Sequence, residues 1–113
     1  MTKTITPIPH PLNASVRVPG SKSLTNRALL IAALAEGKTT LTNALFSDDS
    51  RYFANALQKL DYRVELNEER ADMNIWGLSG KIPTKNAELF IGNAGTAARF
   101  LTAFLTLGDG EYI

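Results

Sequence analysis

Two stretches of the chain repeat one another. With Gly20 set over Gly92, Arg27 falls on Arg99 without a gap. VPGSKSLTNRALL (Val18–Leu30) and IGNAGTAARFLTA (Ile91–Ala103) both run from an apolar strand, through a glycine and a loop of small or polar residues, into an apolar helix. Each helix carries its arginine at the same place. Few other residues match, but the shared order of elements makes this an internal repeat. It limits the chain to an α/β architecture in which one structural unit is used twice.

Each copy has a coherent chemistry. A glycine turn that opens into a helix leaves backbone N–H groups free, and the helix dipole adds partial positive charge. Helical side chains lean toward the N-terminus, so Arg27 and Arg99 lean back toward their own helix heads. A guanidinium beside free N–H groups suits a phosphate or a carboxylate. Lys22 and Ser23 add a point charge and a hydroxyl to the first head, while Asn93, Gly95 and Thr96 make the second smaller and more backbone-like. Two such heads predict two anionic groups bound near each other. Taken singly, Arg27 also fits a solvated helix position and Lys22 a surface lysine. Neither loop is a Walker A motif or a dinucleotide fingerprint.

The residue pattern predicts further elements. An extended, proline-rich start (Pro7, Pro9, Pro11) leads to a strand over Ser15–Val18 and a helix over Ser23–Glu36, with Leu24, Ala28, Ile31 and Ala35 on one apolar face and Gly37 as its stop. A strand over Thr39–Leu45 follows. Ser47 caps a second helix with Asp48 and Asp49 in its first turn and an apolar stripe of Phe53, Ala56, Leu57 and Leu60. Asp48 and Asp49 also have the chemistry of an acid–base pair, but their cap position accounts for them. Tyr62–Leu66 and Met73–Leu78 read as strands joined by NEERAD, with Met73 and Trp76 as sheet packing rather than a ligand box. A loop over Gly80–Ala87, a strand over Glu88–Gly92, a helix over Ala94–Leu107 with Ala97, Phe100, Leu101 and Phe104 on one face, and a strand at Glu111–Ile113 complete the order β-α-β-α-β-β, then β-α-β.

Composition narrows the function classes. The 113 residues are 44% hydrophobic and 20% charged, with a net charge of +1, so no general polyanion-binding surface is expected. There are no cysteines, and the single His10 has no ligand-spaced partner, which makes a metal role a poor fit. No signal peptide is recognisable, and the longest apolar run, Ala28–Ala35, is too short to span a bilayer. A soluble, cytoplasmic protein is expected, and the sequon Asn13-Ala14-Ser15 is read as coincidental.

PGSKSLTNRALLIAALAEGKTTLTNALFSDDSR and LFIGNAGTAARFLTA closely resemble 5-enolpyruvylshikimate-3-phosphate (EPSP) synthases, over about Val16–Gly108. The resemblance implies transfer of the enolpyruvyl group of phosphoenolpyruvate to the 5-hydroxyl of shikimate-3-phosphate, in the shikimate pathway to chorismate and aromatic amino acids, without metal or organic cofactor. It implies a fold of β-α-β-α-β-β repeat units: an N-terminal extended segment over 1–15, one complete unit over 16–87, and the start of a second over 88–113. Lys22 would be the catalytic position and touch both substrates. Ser23 and Arg27 would hold shikimate-3-phosphate. Asn93, Gly95 and Thr96 would line the phosphoenolpyruvate side, where the inhibitor glyphosate competes. Arg99 and Asp49 are further candidates.

Two departures stand out. Phe100 follows the motif arginine where many family members carry proline. Family members are also several times longer, and their proton-transfer carboxylates and lysine would lie past residue 113. The chain therefore reads as a fragment that is inactive alone and needs the missing C-terminal remainder as its partner. Two other readings are a non-catalytic phosphate-binding or interaction module, and a relative of the UDP-N-acetylglucosamine enolpyruvyl transferases. The latter typically show Lys-Asn in place of Lys22-Ser23 and lack the arginine matching Arg27.

Overall fold

The computed structural model describes residues 1–113. Its elements are α1 (Lys22–Leu34), β1 (Glu36–Leu41), α2 (Asp48–Lys59), β2 (Val64–Asn67), β3 (Asp72–Leu78), β4 (Asn86–Ala87), α3 (Gly95–Leu105) and β5 (Glu111–Tyr112). β1, β3 and β2 form an antiparallel sheet in that order, and β4 pairs with β5 in parallel. α1 packs on β3, and the three helices pack on one another.

β3 sets the layering through strict alternation. Met73, Ile75 and Gly77 are buried toward the helices, while Asn74 and Trp76 face the other way. A side chain at Gly77 would collide with the carbonyls of Ala32 and Ala35, so its absence lets α1 lie directly on the strand. On the outer face, Trp76 lies between Arg63, 4.0 Å from the ring centroid, and Lys38, 5.1 Å from it. Met73 and Trp76 are thus accounted for by sheet packing.

α2 matches its expected form. Ser47 caps it in a reciprocal box with Ser50, and Phe53, Ala56, Leu57 and Leu60 are all buried. Ser50, itself buried, donates from Oγ to the Leu45 carbonyl at 2.6 Å and ties the helix to the preceding loop. The hairpin β2–β3 also forms as expected, and α3 buries Ala97, Leu101 and Phe104, with Phe100 half-buried.

Several expectations are corrected. Ser15–Val18 is not a strand: no partner strand takes up its backbone groups, and Val16 and Val18 are exposed. β1 ends at Leu41 because Asn43 takes a positive φ of 53° and the Ala44 N–H turns to the Ala71 carbonyl. It starts at Glu36, so Gly37 is a strand residue paired with Gly77, not a helix stop. Glu88–Gly92 is not a strand either. Pairing with Glu111–Tyr112 sits upstream at Asn86–Ala87 and extends only through the Leu89 N–H to the Ile113 carbonyl.

The buried face of α1 is not the one that carries Leu24, Ala28, Ile31 and Ala35. Thr25, Asn26, Leu29, Ala32 and Ala33 are buried, whereas Leu24 and Ile31 are each about two-thirds exposed. The helix is apolar over most of its circumference, so periodicity fits two faces, and contact with Gly77 selects one. No helix is long and apolar enough to cross a membrane.

Candidate anion-binding site at the helix heads

The three helices begin at one end of their layer. Lys22 Nζ on α1 lies 3.5 Å from Asp49 Oδ2 on α2. A concavity of about 190 Å³ is lined by Asp48, Asp49, Tyr52, Asn93 and Ala94, and so joins the head of α2 to that of α3. The head of α2 is thus shared between the other two.

The heads differ in how they are satisfied. α2 carries Asp48 and Asp49 in its first turn, whose carboxylates meet its dipole. Its capping box satisfies the Ser47 and Ser50 N–H groups, the latter at 3.4 Å, while the Asp48 and Asp49 N–H groups make no hydrogen bond within the protein. α1 has no acid in its first turn, and its cap is one long bond from the Leu24 N–H to Ser21 Oγ at 3.4 Å. α3 has no acid there and no side-chain cap at all. The N–H groups of Lys22 and Ser23 on α1, and of Thr96 and Ala97 on α3, make no hydrogen bond within the protein. The two heads without a first-turn acid belong to the two copies of the repeat.

The repeat glycines are required for separate reasons. A Cβ at Gly20 would run into the backbone at Asn43–Leu45. Gly92 takes a φ of +50°, and a Cβ there would stand 2.9 Å from the Tyr52 ring. A Cβ at Gly95 would meet nothing within 4 Å, and its N–H bonds to the Asn93 carbonyl at 2.9 Å.

The arginines divide in the same way. Arg51 reaches both carboxylate oxygens of Glu68, at 3.1 and 2.7 Å; Arg63 pairs with Glu65 at 2.6 Å and Arg70 with Asp72 at 3.3 Å. The Arg51 hydrogen bond holds the Glu68 carboxyl below its ordinary value and raises the guanidinium in turn. Arg27 and Arg99 are exposed and have no carboxylate partner, and the same holds for Arg17 in the extended N-terminal segment.

The structure brings Lys22, Asp49 and Asn93 to this common end. It does not join Ser23, Arg27, Gly95, Thr96 or Arg99 to them by any side-chain bond. At about 100° per residue, Arg27 lies near Ser23 on the exposed side of α1 and well around the helix from Lys22. Sequence reasoning missed Ser21 as the cap of α1, Tyr52 as the wall behind Gly92, and Asn26. The last was legible as an amide inside an apolar helical run.

A family model described as EPSP synthase (3-phosphoshikimate 1-carboxyvinyltransferase) matches residues 6–113. The chain belongs to the EPSP synthase family. A 3-phosphoshikimate 1-carboxyvinyltransferase from Trichormus variabilis is 54% identical over 98% of the chain and 26% of its own length. One from Sulfurovum is 53% identical over 97% of the chain and 26% of its own length. The solved EPSP synthase of Acinetobacter baumannii superposes with a TM-score of 0.73 at 28% identity, covering 80% of the chain and 20% of that structure. The α/β fold is therefore that of EPSP synthases, and the chain spans about a quarter of the length of the curated relatives it matches.

Proposed function

We propose that the chain supplies the heads of α1 and α3 to an enolpyruvyl transfer site. Shikimate-3-phosphate lies at the first head and phosphoenolpyruvate at the second. The supporting observation is that these two heads alone lack a first-turn acid while carrying free N–H groups and an unpaired arginine. Ser23 and Arg27 take the phosphate of shikimate-3-phosphate. Asn93, Gly95 and Thr96 receive phosphoenolpyruvate or glyphosate, with Arg99 nearby. Lys22, held by Asp49, acts on both substrates.

In the reaction, the 5-hydroxyl oxygen bonds to C2 of phosphoenolpyruvate as the hydroxyl loses its proton and C3 gains one, and loss of inorganic phosphate from C2 with a proton from C3 regenerates the double bond. These residues position two anions and stabilise charge as the tetrahedral intermediate forms. They supply binding more than proton transfer, and the chain alone is expected to be inactive. The first repeat unit is placed over 16–87 and the start of the next over 88–113, a reading supported by the three-stranded sheet of Glu36–Leu41, Val64–Asn67 and Asp72–Leu78.

The test is complementation. The chain is combined with the remaining three quarters of the Trichormus relative, and enolpyruvyl transfer is assayed. The wild-type chain should restore turnover, and Arg27→Ala should weaken shikimate-3-phosphate by about 2–4 kcal/mol, as for a truncated charge-assisted contact. Unchanged affinity in that variant removes Arg27 from the site. A chain that binds phosphate compounds without preferring shikimate-3-phosphate is a binding module instead.

A further inference from the structure

Asn26 is fully buried, and neither its Nδ2 nor its Oδ1 has a hydrogen-bond partner. It is the only side chain in that condition. Leaving a buried amide unpaired is costly, and a leucine of similar size would carry no such penalty. Packing alone therefore does not explain an asparagine here.

Its place in the fold does. Around α1, Asn26 lies between the stripes that begin at Lys22 and Ser23, one turn further in. Helical side chains lean toward the N-terminus, so its amide lies over the turn that carries both residues. α1 packs on α3 as well as α2. At the head of α3, Ala94 and Ala97 are buried, and the N–H groups of Thr96 and Ala97 are without partners. An unpaired amide on one head and unpaired backbone donors on the other sit at the same end of the helix layer.

We propose that Asn26 is a positioning residue that couples the two heads. When anions occupy them, Oδ1 of the Asn26 amide accepts from the N–H of the buried Ala97 on α3, which leaves the Thr96 N–H to the anion, and fixes the spacing between the phosphate subsites. The free chain carries an unsatisfied amide, and ligand binding relieves it. The inference rests on the reading of these heads as the anion site. It adds that a residue touching neither ligand sets their separation, and that it does so at the expense of ligand-free stability.

The test compares the wild-type chain with Asn26→Leu, by thermal unfolding without ligand and by calorimetric titration with shikimate-3-phosphate. The variant should unfold at a higher temperature yet bind about tenfold more weakly, equivalent to ~1.4 kcal/mol. A purely structural role would move stability and leave affinity alone. A less stable variant means the amide is already satisfied, and equal affinity means it does not couple the heads; either result overturns this inference by itself. A wild-type chain that ignores shikimate-3-phosphate contradicts the underlying functional reading and takes the inference with it. An independent readout needs no variant: the side-chain amide protons of Asn26 should shift and gain exchange protection as ligand is added. Signals that stay unchanged in a chain that binds overturn the inference.

Discussion

Lys22 Nζ and Asp49 Oδ2, 3.5 Å apart, form the one ion pair that joins the head of α1 to the head of α2. Its side chains are 51% and 20% exposed, and an exposed pair of this kind contributes about 0–1 kcal/mol to stability. Lys22→Ala should therefore leave denaturant unfolding shifted by less than about 1 kcal/mol. The same change should weaken anion binding by roughly 1.5–3 kcal/mol, the usual range for a hydrogen bond to a charged group. Calorimetry and urea unfolding on one preparation separate the two effects. A variant that unfolds early but binds normally would make Lys22 a structural residue.

Gly92 and Gly95 should respond in opposite directions to alanine. At Gly92 the φ of +50° and the Tyr52 ring both oppose a Cβ, so Gly92→Ala should destabilise by about 1–2 kcal/mol. At Gly95 nothing lies within 4 Å and the residue opens α3, so Gly95→Ala should stabilise by roughly 0.4–1 kcal/mol. The added methyl stands where phosphoenolpyruvate is proposed to lie, so affinity for it should fall while affinity for shikimate-3-phosphate holds. Thermal unfolding and two separate titrations check this.

Arg51 stands one turn into α2, 3.8 Å from Asp48, but neither it nor Glu68 lines the concavity between the helix heads, so the Arg51–Glu68 pair should report mainly on stability. The hydrogen bond from Arg51 holds the folded-state pKa of Glu68 below its ordinary 4.5. A carboxyl depressed by folding stabilises the fold above its unfolded-state pKa, and that contribution is lost as pH falls through the lower folded-state value. Glu68→Gln should thus be slightly less stable at neutral pH and converge with the wild type in acid. The effect is small because both side chains meet solvent. Acid-unfolding curves that run parallel throughout would contradict the assignment.

Much of this fold is legible in the residues because local chemistry agrees with tertiary packing. Ser47, the two aspartates after it and the stripe from Phe53 to Leu60 specify one helix with one buried face. The alternation along Met73–Leu78 specifies a strand for the same reason. Legibility fails where a choice depends on a distant partner. Nothing local tells Leu24 from Leu29 as the core side of α1, because Gly77 on β3 decides it. Nothing local shows that Val16 and Val18 stay unpaired, or that pairing with Glu111–Tyr112 falls at Asn86–Ala87 rather than in the more strand-like Leu89–Ile91.

The candidate site follows the same division. The repeat of Gly20 and Arg27 in Gly92 and Arg99 marks both heads from sequence. Their meeting through Asp49 and Asn93, and the unpaired amide of Asn26 behind them, depend on how three helices pack.

The most direct test of a two-headed anion site is an amide proton–nitrogen NMR titration of the chain, first with shikimate-3-phosphate and then with phosphoenolpyruvate, against equimolar sulfate as control. Shikimate-3-phosphate should move Lys22, Ser23 and Arg27, phosphoenolpyruvate should then move Asn93, Gly95 and Thr96, and sulfate should do neither to the same extent. Dispersed spectra in which neither head responds, or in which sulfate reproduces every shift, would contradict it.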